Sequence, residues 1–511
     1  MDHSADEEDS GMADADLVLA VDCSTSGAKA VVFGPDGRSL SSGRQTFPMA
    51  KTPEGRHEQN AHDWWRATIA VIKTAMSGVD RNRVAAVALT HQRETFVCID
   101  DAGEPVRPAI VWADNRSVPQ VARYGSEETH RISGRVPDIT PAIFKLAWLR
   151  EHEPETLRRS ARVADVSAFL HARLTGRWVS SASSCDSLGL MDLASQQWSP
   201  ELCAIAGVDP AQLPEIATPG GVIGPVVDDI AAELGLAPGT LVVAAAGDGQ
   251  CAALGTGVTE ADTMYLNVGT ALVAGYVSPD YRWSRKYRTV LDAAGQGYLL
   301  EAFTQSGTYL VSWFIDTFAP ALLAKDTDAG CVAREEDLEH RAGAVPPGSD
   351  GLFAVPYWNG AQTPYWEGAA RGTVLGWSGI HTGAHFYRSL LEGAAYEVRL
   401  QVEGVESDTG VPVSRFLATG GGSRSPMWSQ IIADVTGRQV DICAESETTA
   451  LGAAMMAGCA VGIHSDLRAA AAAMTRTVKS IPPRPDIAEQ YQAMYQRYLR
   501  IYPTVRELSQ R

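Results

Sequence analysis

A chain of 511 residues is longer than one ordinary hydrophobic core can organise, so two large domains or several small ones are expected, with a cleft between them. The composition, 45% hydrophobic and 20% charged, excludes general disorder, and 61 Asp and Glu against 43 Lys and Arg leave a net charge of −18 that excludes nucleic acid and anionic membrane as partners, so any phosphate site must be local. Eight scattered cysteines with no CxxC pair exclude a zinc module and read as reduced thiols; with no secretory signal and no stretch apolar enough to span a bilayer, the cytoplasm is the expected compartment.

Residues 1–16 read as a disordered acidic tail, because they carry charge without hydrophobic periodicity. The segment LVLAVDCSTSGAKAVVF, Leu17 to Phe33, reads as two apolar strands joined by a tight turn, with Asp22 ending the first strand and Lys29 opening the second. Ser24, Thr25, Ser26 and Gly27 put no bulky side chain at the bend, so backbone N–H groups and hydroxyls can converge on an anion there. Asp22 would repel bare phosphate and makes sense beside it if Mg²⁺ lies between them. The alternative is an ordinary hairpin with a polar turn.

Next, GPDGRSL turns into a third strand, and Asn60 to Met76 has helical spacing with a polar start. Val84 to Thr90 reads as a buried strand, and PAIVWADNRS as a strand running to a polar end at Asp114 and Arg116. A helical region follows, with Lys145 to Arg159 and Val166 to Gly176 as its clearest members. Near residue 240 the pattern restarts: TLVVAAAGDGQCAALGTG is a strand breaking into a glycine-rich turn, and TMYLNVGTALVAGYV is a hairpin interrupted at Gly269 and Thr270. Two such hairpins suit a polyphosphate clamped from both sides. The expected division is a first domain over 17–257, a second over 258–485 and a C-terminal helix over 486–511, in an α/β architecture. In the second domain, Arg415 to Gly437 reads as strand, triple glycine and amphipathic helix, and TTALGAAMMAGCAVG as a helix small enough to pack closely on a neighbour.

These elements, with HEQNAHDWW, THQRETFVCIDDAGEPVRPAIVWADNR, GDGQCAALGTG, NVGT, PYWNGAQTPYWEGAARG, LLEGAAYEVR and TGGGSRSPMWSQIIADVTGR, make a chain that resembles the FGGY family of carbohydrate kinases from Leu17 to about Gly462. The resemblance implies a two-domain actin-like ATPase (ribonuclease H-like) fold with the active site in the interdomain cleft, ATP and Mg²⁺ as cofactors, and a small sugar or polyol as partner. By position it places Thr25, Ser26, Gly27 and Lys29 on the first phosphate loop, Gly269 and Thr270 on the second, Gly307 near the nucleotide, and Gly421 and Ser425 against the adenosine. Asp22 matches the carboxylate associated with the metal, and Asp248 the catalytic base, which also borders the metal.

Chemistry asks for that base independently, since an alcohol is a poor nucleophile until a carboxylate takes its proton. Asp248 ends an apolar strand, flanked by Gly247 and Gly249, which are expected to leave space for substrate; the alternative is a turn aspartate capping the next helix. Arg93 and Glu94 could hold adjacent hydroxyls, or could be a surface ion pair. The Arg-Glu pair points to the glycerol kinase branch and a short polyol. Thr140 and Gly249 stand where that branch has tyrosine and glutamine, and other segments lie closer to xylulose kinases and autoinducer-2 kinase. The expected activity is transfer of the γ-phosphoryl of Mg·ATP to a hydroxyl of a small open-chain ketose or polyol. Its rivals are a catalytically silent sugar or nucleotide sensor, an autoinducer-2-type kinase and an actin-like ATPase; a homodimer stays open.

Overall fold

Alternating apolar strands and glycine-broken turns build two sheets of the same design. The computed structural model describes residues 15–322 and 331–509, so nearly all of the acidic tail lies outside the described residues. The first sheet has six strands in the order Ser39–Thr46, Gly27–Phe33, Leu17–Cys23, Val84–His91, Leu241–Ala244, Val222–Pro225. The second has seven: Arg288–Leu291 at one edge, then Tyr298–Thr304, Leu272–Ser278, Thr263–Val268, Arg415–Thr419, Gln439–Cys443 and Thr477–Ile481. In each sheet three antiparallel strands are followed by two parallel ones and an antiparallel edge, so six strands correspond one for one. The second half repeats the first.

The central strands of each sheet are buried on both faces, as their near-continuous apolar runs require, while the polar edge strands Ser39–Thr46 and Thr477–Ile481 are largely exposed. Helix Ala61–Met76 starts at Asn60, whose side chain accepts from the His62 N–H, and sets Trp64, Val71 and Ile72 against Leu19, Val21 and Val32. The opposite face carries Val18, Ala20, Ala86 and Val243, and here helix Thr448–Ala460 of the second half packs through Ala453, Ala454 and Ala457. That helix crosses Asp248–Thr256 backbone to backbone: a Cβ on Gly255 would collide with the Thr448 carbonyl, and one on Gly452 with that of Cys251. The two halves are thus joined on this sheet face, with the end of one helix against the start of the other. A five-stranded sheet inserted in the first half lies between two cores: one face joins helix Val166–Thr175 in the core of the first sheet through Val97, Ile99 and Ala164, and the other packs on a separate core around Phe144, Leu149 and Leu202.

Two local expectations change. Lys145 to Arg159 is not one helix: Ala142–His152 ends at Glu153, with φ −134°, before Pro154 opens a short second helix, because the residue preceding proline is forced out of the helical region. The strand in PAIVWADNRS shortens to Ala109–Ile110, as Asp114 takes the N–H groups of His57 and Arg116 and pins the rest as a turn. The C-terminal helix, Pro485–Ser509, buries Tyr491, Tyr495, Tyr498 and Tyr502 in the second core.

Candidate active site

At the carboxyl end of the first sheet, the strand register lines up a row of polar side chains. Asp22 lies opposite Thr90 on one side and Lys29 on the other. All three share the face of Val18 and Ala20, the face on which helices Asp248–Thr256 and Thr448–Ala460 lie. Neither Asp22 Oδ1 nor Thr90 Oγ1, both sealed from solvent, finds a hydrogen-bond partner among the described residues. Burial first, then the carboxylates of Asp248 and Glu447, push the Asp22 carboxyl from 3.8 up to about 8, against the pull of Lys29 and Arg44. Lys29 forms an ion pair with Glu447, which stands just before helix Thr448–Ala460 and so ties the first hairpin to the other half.

The turn between these strands is held by its carbonyls. Gln59 Nε2 donates to the Thr25 carbonyl at 2.6 Å, Phe47 N–H to that of Ser26, and Ser24 Oγ to that of Gly27 at 3.0 Å. What the turn has left for an anion is its N–H groups and the hydroxyls of Thr25 and Ser26. Gly27 is required for a different reason than expected: a Cβ there would lie 2.5 Å from the Gln45 carbonyl of the next strand.

Asp248 is the first residue of its helix, with Gly247 at the cap position, so it is not the capping aspartate of the alternative reading. Its Oδ1 accepts from Arg93 Nε at 2.9 Å and from the Gly249 N–H at 2.8 Å, and its side chain is 38% exposed. Arg93 is itself 7% exposed and also donates to Gln250 and, with two bonds near 3 Å, to Glu301. Glu301 is wholly buried and accepts further from Tyr265 Oη at 2.9 Å and Arg288 Nε at 2.5 Å. Glu94, 5% exposed, pairs with Arg135 and Arg288. Arg93 and Glu94 are therefore buried and not a surface ion pair.

The charges in this network set one another. Burial opposes ionisation of Glu301, yet Arg288 and Arg93 hold its carboxyl far below the usual range; burial likewise opposes the Arg93 charge, and Glu301 and Asp248 outweigh it. Burial and the neighbouring Arg288 and Arg93 charges bring Arg135 down to about 9. The space beside Asp248 is not open in the way the flanking glycines suggest. A Cβ on Gly247 would meet the Arg93 side chain at 2.6 Å, and one on Gly249 would meet Arg93 and Glu301 at 2.5 Å. Both glycines serve the approach of the guanidinium that holds Asp248.

A cavity of about 1290 Å³ opens between the halves, lined from the first by Trp112, Asp138 and Thr140 and from the second by Phe303, Gln305, Gln362 and Trp366. Trp112 Nε1 donates to Thr25 Oγ1, and the Arg288 guanidinium stacks over Phe303, so this cavity touches both the first turn and the buried network. Thr140 Oγ1 donates to Asp138 at 2.7 Å, and Lys145, fully buried, donates to the Thr140 carbonyl at 2.7 Å and holds the loop.

The second hairpin turn meets Gly307. The carbonyls of Gly269 and Thr270 take the first N–H groups of helix Thr308–Leu322, and a Cβ on Gly307 would collide with the Gly269 carbonyl. Gly420, at φ +89°, packs against Asn267 and Val268 of the same hairpin, while Gly421 is exposed with open space before it. Ser425 is the cap of helix Pro426–Thr436, its hydroxyl accepting from the Trp428 N–H at 3.0 Å. Arg135, Tyr265, Arg288, Glu301 and Glu447 escaped the sequence reading. The signal available for Glu301 was a lone carboxylate inside the apolar run YLLEAFT, since a buried charge needs partners.

Comparison with known proteins agrees with this architecture. The FGGY family of carbohydrate kinases matches through its N-terminal domain at residues 17–255 and its C-terminal domain at residues 264–461. A xylulose kinase of Streptomyces rubiginosus is 32% identical, with 87% of this chain and 88% of that protein covered. A glycerol kinase of Thermococcus onnurineus is 30% identical over 87% of this chain and 89% of its own length. The crystal structure of xylulose kinase from Rhodospirillum rubrum superposes with a TM-score of 0.87 at 27% identity, covering 96% of this chain and 99% of that one. With both domains matched in sequence order, the chain belongs to the FGGY family of carbohydrate kinases and is a phosphotransferase with an alcohol group as acceptor.

Proposed function

We propose that this kinase transfers the γ-phosphoryl of Mg·ATP to a hydroxyl, a terminal primary one, of a small open-chain ketose or polyol, with Asp248 as the base. The observation that carries this reading is the convergence of Asp22 and Asp248 on one sheet face, with Asp248 fixed through Oδ1 and more than a third exposed. Oδ2 takes no hydrogen bond among the described residues and is the atom left for an acceptor proton.

In this reading the acceptor lies between Asp248 and Thr140, along the edge formed by Arg93, Glu94 and Gly249. Its hydroxyl loses a proton to Asp248 as the oxygen bonds to the γ-phosphorus, and the bond from that phosphorus to the bridging oxygen breaks to release ADP. A positioned base contributes about 10² to 10⁴-fold. Arg93 keeps the base aimed, and the buried pairing of Arg93 with Glu301 means little reorganises when the reaction occurs. Thr25, Ser26, Gly27 and Lys29 on one side and Gly269, Thr270 and Gly307 on the other hold the phosphates, with Gly421 and Ser425 beside the adenosine.

The residues fit a hard divalent cation. Asp22 offers a sealed, unpartnered carboxylate oxygen whose charge is disfavoured until a cation arrives, and Asp248 stands close enough to raise its proton affinity. Among the described residues no set of three His, Cys, Asp or Glu groups forms a complete metal site, which suits an ion that arrives with phosphate and water as its other ligands. When bound, it supplies neutralisation of phosphate charge; Asp22, and Asp248 from the other side, would hold it.

A coupled assay of ADP release over pentuloses, tetritols, gluconate and glycerol tests the reading. ADP formation that depends on one of these acceptors is expected. Nucleotide binding without acceptor-dependent ADP would indicate the sensor, and hydrolysis indifferent to every acceptor an ATPase.

A further inference from the structure

The row at the end of the first sheet does not stop at Lys29. Strand Ser39–Thr46 pairs with Gly27–Phe33 so that Arg44 lies directly opposite Lys29, one strand further from Asp22. Its face is fixed by its neighbour: Gly43 is pressed onto helix Ala61–Met76, where a Cβ would collide with the Val71 carbonyl. Alternation then turns Arg44 to the opposite face, that of Asp22, Lys29, Glu447 and Asp248. Residues directly opposite in an antiparallel pair stand about 5 Å apart, so the row Asp22, Lys29, Arg44 spans about 10 Å, the scale of a polyphosphate.

The charges along this row are unequal. Lys29 is already neutralised by Glu447, and Asp22 and Asp248 add two further acidic groups. The Arg44 side chain is exposed and makes no hydrogen bond or ion pair among the described residues. Its charge is nevertheless felt at Asp22. A Mg·nucleotide brings net negative charge to a place where the nearest cation is spoken for, and Arg44 is the cation left over.

We propose that Arg44 is a second phosphate-binding cation of the nucleotide site, reaching the phosphates from the edge strand beside Lys29. The proposal rests on the kinase reading and adds to it a residue that acts on nucleotide affinity and not on the acceptor. A guanidinium fork suits this role, since it can donate two parallel bonds to one phosphate.

Calorimetric titration with Mg·ADP and with a non-hydrolysable Mg·ATP analogue tests it on the wild type, Arg44→Gln, Arg44→Lys and Arg38→Gln, the last changing an exposed arginine at the far end of the same hairpin. Arg44→Gln should weaken both nucleotides about tenfold, as loss of a charged hydrogen bond does, and flatten the salt dependence of binding. Arg44→Lys should recover most of the affinity, Arg38→Gln should bind as wild type, the KM for ATP should rise in step, and the acceptor KM should not move. Thermal unfolding without nucleotide should be unchanged, which separates a binding effect from a folding one. Wild-type affinity in Arg44→Gln overturns this inference while leaving the kinase reading intact; failure of the wild type itself to bind either nucleotide overturns both.

Discussion

The side of the cleft proposed for the acceptor is held by side chains that are charged, buried and mutually paired, whereas the side proposed for the phosphates is held by backbone, glycines and hydroxyls, with charged groups left short of partners. Around Asp248 the carboxylates of Glu301 and Glu94 answer the guanidinium groups of Arg93, Arg135 and Arg288. Around Asp22 an oxygen is orphaned, and burial with the neighbouring carboxylates favours the protonated carboxyl. The difference is what each ligand brings. A neutral polyol has no charge with which to organise a site, so the protein must fix the base in advance. A nucleotide with its cation arrives carrying charges, and a site that already satisfied them would have nothing to offer.

The sharpest way to break the acceptor side is Asp248→Asn. Turnover should fall by about 10² to 10⁴-fold in steady-state kinetics, with nucleotide affinity by calorimetry unchanged within about twofold. Next in size is Glu301→Gln, which leaves Arg93 and Arg288 without their shared counter-charge. Urea unfolding should show a loss of about 3–5 kcal/mol, the cost of breaking a buried pair on one side, and a cost below about 1 kcal/mol would mean the network does not hold the base.

The phosphate side should respond to pH. With Asp22 protonated up to about 8 in the folded chain and only to about 3.8 in the unfolded one, the folded state holds the extra proton between those values. Stability without nucleotide or Mg²⁺ should therefore fall as pH rises through that window, by up to about 1.4 kcal/mol per unit. Asp22→Asn should flatten that slope in urea titrations between pH 5.5 and 7.5 and remove the Mg²⁺ dependence of nucleotide binding. The smallest effect belongs to Ser425→Ala. Since the hydroxyl caps helix Pro426–Thr436, about 1 kcal/mol of stability should be lost in urea unfolding.

The hairpins, the restart near residue 240 and the glycine turns were legible in the sequence because each is a local pattern of apolar alternation and small residues. The row from Asp22 through Lys29 to Arg44 was not, because it exists only through strand register, and Arg44 sits in a polar edge strand with nothing local to mark it. Gly249 was legible as a position needing no side chain, but the reason was not: the space belongs to Arg93 and Glu301, and Glu301 comes from the other half of the chain. Gly307, placed near the nucleotide by resemblance alone, also has to admit the Gly269 carbonyl, a contact no local pattern shows. Local signals mark that something approaches; only the fold says what.

Phosphorus-31 NMR of the wild type turning over Mg·ATP with the best acceptor of the panel tests the central claim most directly. The account predicts a new phosphomonoester resonance on the acceptor, matched one for one by ADP and lost in Asp248→Asn. Inorganic phosphate in its place, or an equal yield of phosphomonoester from Asp248→Asn, would contradict it.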